Sequence, residues 1–211
     1  MPGLPMNENL DRLKVELEIF GTCHDATMAD RGQRMFNITR DTGEFLALLV
    51  RATSTKQVLE IGTSNGYSTL WLAQATQAIG GRVTTGELVP NKVALAQITF
   101  ERSGFSCITL VQDDAKRLLE TSATHHYDLV FLDAERSEYL GWWPQIRRVL
   151  RPGGLLLVDN ATSHGHELAQ LVQAVQAVQA VQADAHCTTC LVPIGKGEFL
   201  ATKALSVDEA K

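Results

Sequence analysis

The chain reads as a doubly wound α/β fold with a mostly parallel sheet, and three features of its sequence predict this. From Gln57 onward, short apolar runs alternate with amphipathic helical stretches, the pattern of a parallel sheet with helices on both faces. The run Gln57-Val58-Leu59-Glu60-Ile61-Gly62-Thr63-Ser64-Asn65-Gly66-Tyr67-Ser68 carries a strand into a glycine-bearing turn and then a helix. That arrangement brings backbone N–H groups to a bound nucleoside. Two further apolar runs, Phe131-Leu132-Asp133 and Val158-Asp159-Asn160, stop abruptly at acceptor oxygens.

Taken in order, Leu10, Leu13, Leu17 and Phe20 recur at helical spacing and predict a helix over Glu8 to Phe20. Cys23 to Arg40 is polar, without a sustained period, and is a candidate lid. Asp41-Thr42-Gly43-Glu44 resembles a capping box opening a second helix, with Phe45, Leu46, Leu48 and Leu49 as its apolar face. Strands are expected at Val58 to Ile61, Arg82 to Glu87, Ser106 to Val111, Tyr127 to Asp133 and Leu155 to Asp159. Arg151-Pro152-Gly153-Gly154 reads as a helix stop and turn feeding the last of these. Ala185 to Ile194 and Glu198 to Ala204 are separated only by Gly195-Lys196-Gly197, so they form an antiparallel edge hairpin and complete a seven-stranded sheet. Between them and Asp159, the Ala-Val-Gln triplets of Leu168 to Ala183 drift by about 60° per repeat on a helix. Val172, Val175, Val178 and Val181 therefore spiral around a surface helix.

A length of 211 residues suits one domain, 45% hydrophobic and 20% charged, with residues 1–52 as an N-terminal helical region and 57–204 as the core. The balance of 19 basic against 24 acidic residues gives a net charge of -5, which opposes binding to nucleic acid or anionic lipid. No apolar stretch reaches the roughly 18 residues needed to span a bilayer, and the N-terminus lacks signal-peptide features, so a cytoplasmic location is expected. Four cysteines are too few for a disulfide scaffold. Cys187 and Cys190 lie on an expected strand, where an offset of three sends their sulfurs to opposite faces.

Gly62 to Gly66 has G-x-x-x-G spacing, one glycine short of the dinucleotide fingerprint, and alone could mark only a sharp turn. Glu60 sharpens it, because an ionisable side chain within an apolar strand needs a partner, and a cofactor ammonium could be one. Glu87, at the next strand end, is placed either to accept from ribose hydroxyls or to cap the helix from Pro90. Asp114 and Ala115 occupy the third rim position, bordering an adenine or starting a helix. Asp133, Asp159 and Asn160 converge if their strands are neighbours about 4.8 Å apart, giving three hard oxygen ligands suited to Mg²⁺. His164 and His166 follow closely on a polar loop and are more often solvated in such a setting. Trp142 and Trp143 are expected in the core or at an interface.

These residues resemble the class I S-adenosylmethionine-dependent O-methyltransferases of the caffeoyl-CoA and catechol type. The likeness is carried by VLEIGTSNGYSTLWLA, GRVTTGELVP, YDLVFLDAERSEY, RPGGLLLVDN and LVPIGKGEFLATK. It implies that Glu60, Gly62, Thr63, Ser64, Gly66, Tyr67 and Ser68 hold the methionine part of S-adenosyl-L-methionine. It further implies that Glu87 binds ribose, that Asp114 and Ala115 border adenine, and that Asp133, Asp159 and Asn160 ligate a divalent cation. By the same resemblance Asp133, which also counts among the cofactor-binding residues, and Arg136 would take the catalytic positions, a small hydroxylated acceptor would be the substrate, and the assembly would be a homodimer. Two positions depart from the pattern. Asp113 replaces a common glycine, and Arg136 replaces the lysine assigned as base. A guanidinium with a pKa above about 12 cannot readily accept the proton. The rival readings are an S-adenosylmethionine-binding protein impaired in catalysis and a nicotinamide-dependent oxidoreductase.

Overall fold

The structure, a computed structural model, describes residues 6–161 and 178–205. Seven strands form one sheet: β1 (Gln57–Ile61), β2 (Arg82–Glu87), β3 (Ile108–Gln112), β4 (Tyr127–Leu132), β5 (Leu150–Val158), β6 (Cys187–Val192) and β7 (Glu198–Lys203). Their order is β3-β2-β1-β4-β5-β7-β6, with β7 antiparallel to both neighbours and every other pairing parallel. The order reverses between β1 and β4, where doubly wound sheets open a crevice beyond the carboxyl ends of their strands.

Alternation along the strands sorts their side chains into two cores. Val58, Leu129, Phe131, Leu155 and Leu157 pack with residues of α1 (Met6–Thr27), α2 (Arg40–Ala52) and α3 (Tyr67–Gln77), joined by Phe100 of α4 (Pro90–Ser103). Leu59, Ile61, Val130, Leu132, Leu156 and Val158 pack on the opposite face with α5 (Ala115–Thr121), α6 (Tyr139–Val149) and the helical residues 178–183. Strands apolar on both sides are what a sheet buried on both faces requires.

Three local expectations are corrected. The first helix runs seven residues beyond Phe20, to Thr27. The second is capped by Thr39, whose hydroxyl oxygen accepts from the Thr42 N–H, while Asp41 accepts from the Thr39 hydroxyl and from the Gly195 N–H at 3.1 Å. Asp41 thus ties α2 to the β6–β7 turn, and those donors lower its pKa. Finally, Arg151-Pro152-Gly153-Gly154 lies inside β5 as an irregularity, with Tyr127 opposite Leu150 but Leu129 opposite Leu155. Proline offers no N–H and Gly153 takes φ +71°, so the chain detours and rejoins the ladder. Trp142 is buried against Tyr139, as expected of a core residue. Cys187 is partly buried and Cys190 exposed, in keeping with opposite faces, and all four cysteines are free thiols. His164, His166 and all but the end of the Leu168 to Ala183 repeat lie outside the described residues.

Candidate active site

The sheet order lines up the ends of β2, β1, β4 and β5 along one edge. Because β7 runs antiparallel, it begins at that same edge, with Phe199 opposite Val158. The edge therefore presents, from left to right, Asp114, Glu87, the Gly62–Ser68 turn, Asp133, Asp159 with Asn160, and Glu198.

On the left, each acid is surrounded by donors. Glu60 is fully buried, and its carboxylate accepts from the hydroxyls of Ser68 (2.5 Å), Thr69 and Thr85 (2.6 Å). The partner anticipated from a cofactor ammonium is thus supplied by the fold itself. Burial still raises the Glu60 pKa to about 7, against the opposing pull of these hydroxyls. Glu87 accepts from the backbone N–H groups of Ser64 (2.8 Å), Leu88 (3.0 Å) and Val89 (2.9 Å). It therefore caps the approach to α4 while bracing the glycine turn, and its oxygens retain lone pairs for further donors.

The turn itself can approach the neighbouring strand because it lacks a side chain: a Cβ on Gly62 would fall 1.9 Å from the Asp133 carbonyl oxygen, and its φ is +105°. Thr63 bonds the Thr85 hydroxyl, Ser64 donates to the Met35 carbonyl at 2.7 Å, and Gly66 turns the chain into α3. Tyr67 points its hydroxyl away, to Glu18 at 2.5 Å. Asn65 is 1% exposed yet its amide nitrogen has no partner among the described residues, leaving a buried donor directed at no protein acceptor. Met35, Phe36, Asn37 and Ile38, from the candidate lid, close over this turn and share with it and Asp133 an open cavity of about 180 Å³. Asp25 anchors that segment by accepting from the N–H groups of Met35 and Phe36. Farther along the rim, Asp114 is the N-cap of α5, accepting from Lys116 N–H, and Ala115 opens that helix.

On the right, acids face acids. Asp133 and Asp159 lie level on adjacent strands, their backbones fixed by bonds from Asp133 N–H to Ile61 and from Asp159 N–H to Leu132, both 3.0 Å. Burial, then the charges of Asp159 and Glu60, raise the Asp133 pKa far above the usual carboxylate range, while Arg136 pulls it down. Asn160 adopts φ +59°, a left-handed conformation that Asn tolerates, and its amide donates to Asp159. Glu198 completes the group: it is 0% exposed and accepts from the Thr42 hydroxyl at 3.0 Å. Burial and then Asp159 raise its pKa. No three His, Cys, Asp or Glu among the described residues already stand at metal-holding spacing; the expected trio contains two acids, with Asn160 as the third oxygen donor. Such an all-oxygen set, with like charges in contact, suits a hard divalent cation.

Arg136 begins a short 3₁₀ turn after β4, held by Tyr139, whose hydroxyl accepts from Ala134 N–H (2.7 Å) and donates to Ala134 C=O (3.0 Å). Arg136, Trp143, Val158, Asp159, Asn160 and Phe199 are among the residues lining an apolar cleft of about 450 Å³.

Sequence reading missed Glu198 and Asn65 as an orphaned donor, while the Met35–Ile38 cover falls within the lid expected at Cys23 to Arg40. A signal for Glu198 existed, because the first residue of an antiparallel return strand must lie at the edge where the parallel strands end. The orphaning of Asn65 depends on packing that no local pattern records.

A sequence model of the O-methyltransferase family matches residues 14–204. The chain is 32% identical over 147 residues to the catechol O-methyltransferase of Niastella koreensis, covering 67% of this chain and 66% of that one. It is 35% identical over 134 residues to the catechol O-methyltransferase of Mycobacterium tuberculosis, covering 63% and 60%. The matches thus span a little under two thirds of each of these relatives. The O-methyltransferase from Bacillus cereus, solved in complex with SAH, superposes with a TM-score of 0.77 over 96% of this chain and 93% of that one, at 22% identity, a likeness of fold.

Proposed function

This chain belongs to the O-methyltransferase family, and on that premise we propose that it methylates a hydroxyl oxygen of a small catechol-like acceptor, using S-adenosylmethionine and a divalent cation, most suitably Mg²⁺. The observation that carries this reading is the shared edge: a donor-braced glycine turn with Glu87 on one side, and Asp133, Asp159 and Asn160 on the other. Family membership leaves the nicotinamide reading without support.

When bound, S-adenosylmethionine supplies an electrophilic methyl group, and the cation supplies positive charge that acidifies a hydroxyl and holds it in place. The chain's own residues provide the rest. Glu87 receives ribose hydroxyls, the turn's N–H groups and the spare Asn65 amide receive a carboxylate, and Asp114 with Ala115 borders the adenine. Glu60 keeps Ser68, Thr69 and Thr85 in register beneath them. Asp133, Asp159 and Asn160 would hold the cation. Arg136, whose charge reaches Asp133, stabilises developing negative charge on oxygen without acting as base. With the cofactor bound, methyl transfer would form the oxygen–carbon bond as the carbon–sulfur bond breaks, and the hydroxyl proton would pass to solvent.

Residues 1–52 are read as enclosing the acceptor and carrying a homodimer contact. Four free thiols suit a reducing, cytoplasmic setting. No helix among the described residues is long and apolar enough to cross a membrane.

The test is methyl transfer to a panel of hydroxylated aromatics, with Mg²⁺ and with chelator. Turnover of a vicinal diol that requires Mg²⁺ is expected. Cofactor binding with no turnover of any acceptor would instead favour a binding protein impaired at Arg136.

A further inference from the structure

We propose that Glu198 is a third carboxylate of the divalent-cation site, an inference that rests on the cation reading above. Register puts it there. On β5 and β7 the pair Val158–Phe199 faces the α6 side of the sheet, so the residues flanking that pair, Asp159 and Glu198, turn to the other side, where Asp133 also lies. Glu198 is 0% exposed, and Asp159 is 4% exposed.

The two oxygens of Glu198 differ. One accepts from the Thr42 hydroxyl at 3.0 Å. The other, Oε2, has no hydrogen-bond partner among the described residues, and the β5–β7 register sets Asp159 beside Glu198. A buried carboxylate oxygen that meets a second carboxylate and no donor is costly, and natural interiors rarely leave one so. Helix anchoring through Thr42 accounts for one oxygen only. A neutral side chain could make that bond without the repulsion. What uses both the charge and the unpartnered oxygen is a hard cation, whose binding strengthens with the number of carboxylates offered.

By register Asp159 lies between the other two, level with Asp133 on the β4 side and beside Glu198 on the β7 side, and the three do not stand as a closed trio. An ion seated at Asp159 would draw the other two in from either side. Thr42, at the start of α2, would then couple the cation to the N-terminal helices that frame the acceptor.

The experiment titrates chelator-treated full-length protein with Mn²⁺, following free Mn²⁺ by electron paramagnetic resonance, beside calorimetric binding of S-adenosylhomocysteine. Glu198→Gln is expected to weaken Mn²⁺ binding roughly 10- to 100-fold, while S-adenosylhomocysteine affinity is unchanged. In the cation-free protein the same change should raise the melting temperature, because the amide can donate where the carboxylate cannot. Thr42→Val, which removes the hydroxyl but no charge, should leave Mn²⁺ affinity near that of the parent. A Glu198→Gln protein that binds S-adenosylhomocysteine normally and Mn²⁺ as tightly as the parent overturns this inference and leaves the cation reading standing. Absence of Mn²⁺ binding by the parent itself overturns the cation reading, and the inference with it. Should Glu198→Gln fail to fold, Glu198→Asp keeps the charge on a shorter arm and is judged by the same titration.

Discussion

The two halves of the strand edge hold similar numbers of acids in opposite states. Left of the β1–β4 switch point, Glu60 and Glu87 each accept three hydrogen bonds from the protein. Right of it, among the described residues, Asp159 accepts from the Asn160 amide, Glu198 accepts from the Thr42 hydroxyl, Arg136 lies near Asp133, and the acids otherwise face one another. The acids of the left half are satisfied without a ligand, with the Asn65 amide the donor left over, so a bound cofactor meets a pre-set surface. The right half is incomplete, and its self-repulsion is the force that draws in a cation. Affinity on one side comes from preorganisation and on the other from relieved repulsion.

The comparison breaks most visibly at Asp159, the centre of the right-hand chain. Asp159→Ala is expected to lower cation-stimulated turnover by roughly a hundredfold or more, about 3 kcal/mol of barrier, while S-adenosylmethionine affinity stays within a few-fold. Turnover that stays the same, and stays sensitive to chelator, would move the cation elsewhere.

A second test uses pH. The folded-state pKa of Glu60, about 7, lies above its unfolded value near 4.5. Both states carry the proton below that lower value, so stability is greatest there as far as this group is concerned. It falls as pH rises from about 4.5 to 7 and then levels, by at most on the order of 3 kcal/mol. Asp133 and Glu198 are shifted in the same direction and steepen the fall. Denaturant unfolding at pH 5 and pH 8 should therefore show the cation-free protein more stable at pH 5. Added Mg²⁺ should recover the right-hand share at pH 8 and leave the Glu60 share. A flat profile would mean that the acids of both halves are equally well paired.

The smallest effect isolates the left half. Thr85→Val removes one donor to Glu60 and the partner of the Thr63 hydroxyl. Urea titration should register a loss of about 1–2 kcal/mol, with Mn²⁺ affinity unaltered. Altered cation binding would show that the halves are coupled across β1 and β4.

Much of this was legible in the chain. Apolar runs ending at Asp133 and Asp159 mark parallel strands because the polar residue can sit only where the strand leaves the core. The Gly62 turn was legible since positive φ and close approach to another backbone both exclude a Cβ. The β6–β7 hairpin showed itself through Gly195-Lys196-Gly197. Less was visible where one residue could serve two geometries. Asp41 looked like a cap for its own helix, yet it holds a turn more than 150 residues away. Pro152 and Gly153 signalled a break, but a sheet can absorb a break as a bulge when strands continue on either side. Glu60 asked for a partner, and three hydroxyls from two elements answered, which only their folding together could reveal.

By itself, the sequence determined the fold class, the strand ends and the chemistry available there, because periodicity and turn residues act over a few positions. Tertiary structure alone decided which acids are paired and which are left facing one another. Hydrogen bonding and charge repulsion depend on distances of a few ångströms between residues far apart in the chain, and those distances exist only once the sheet has closed its order and β7 has returned beside β5.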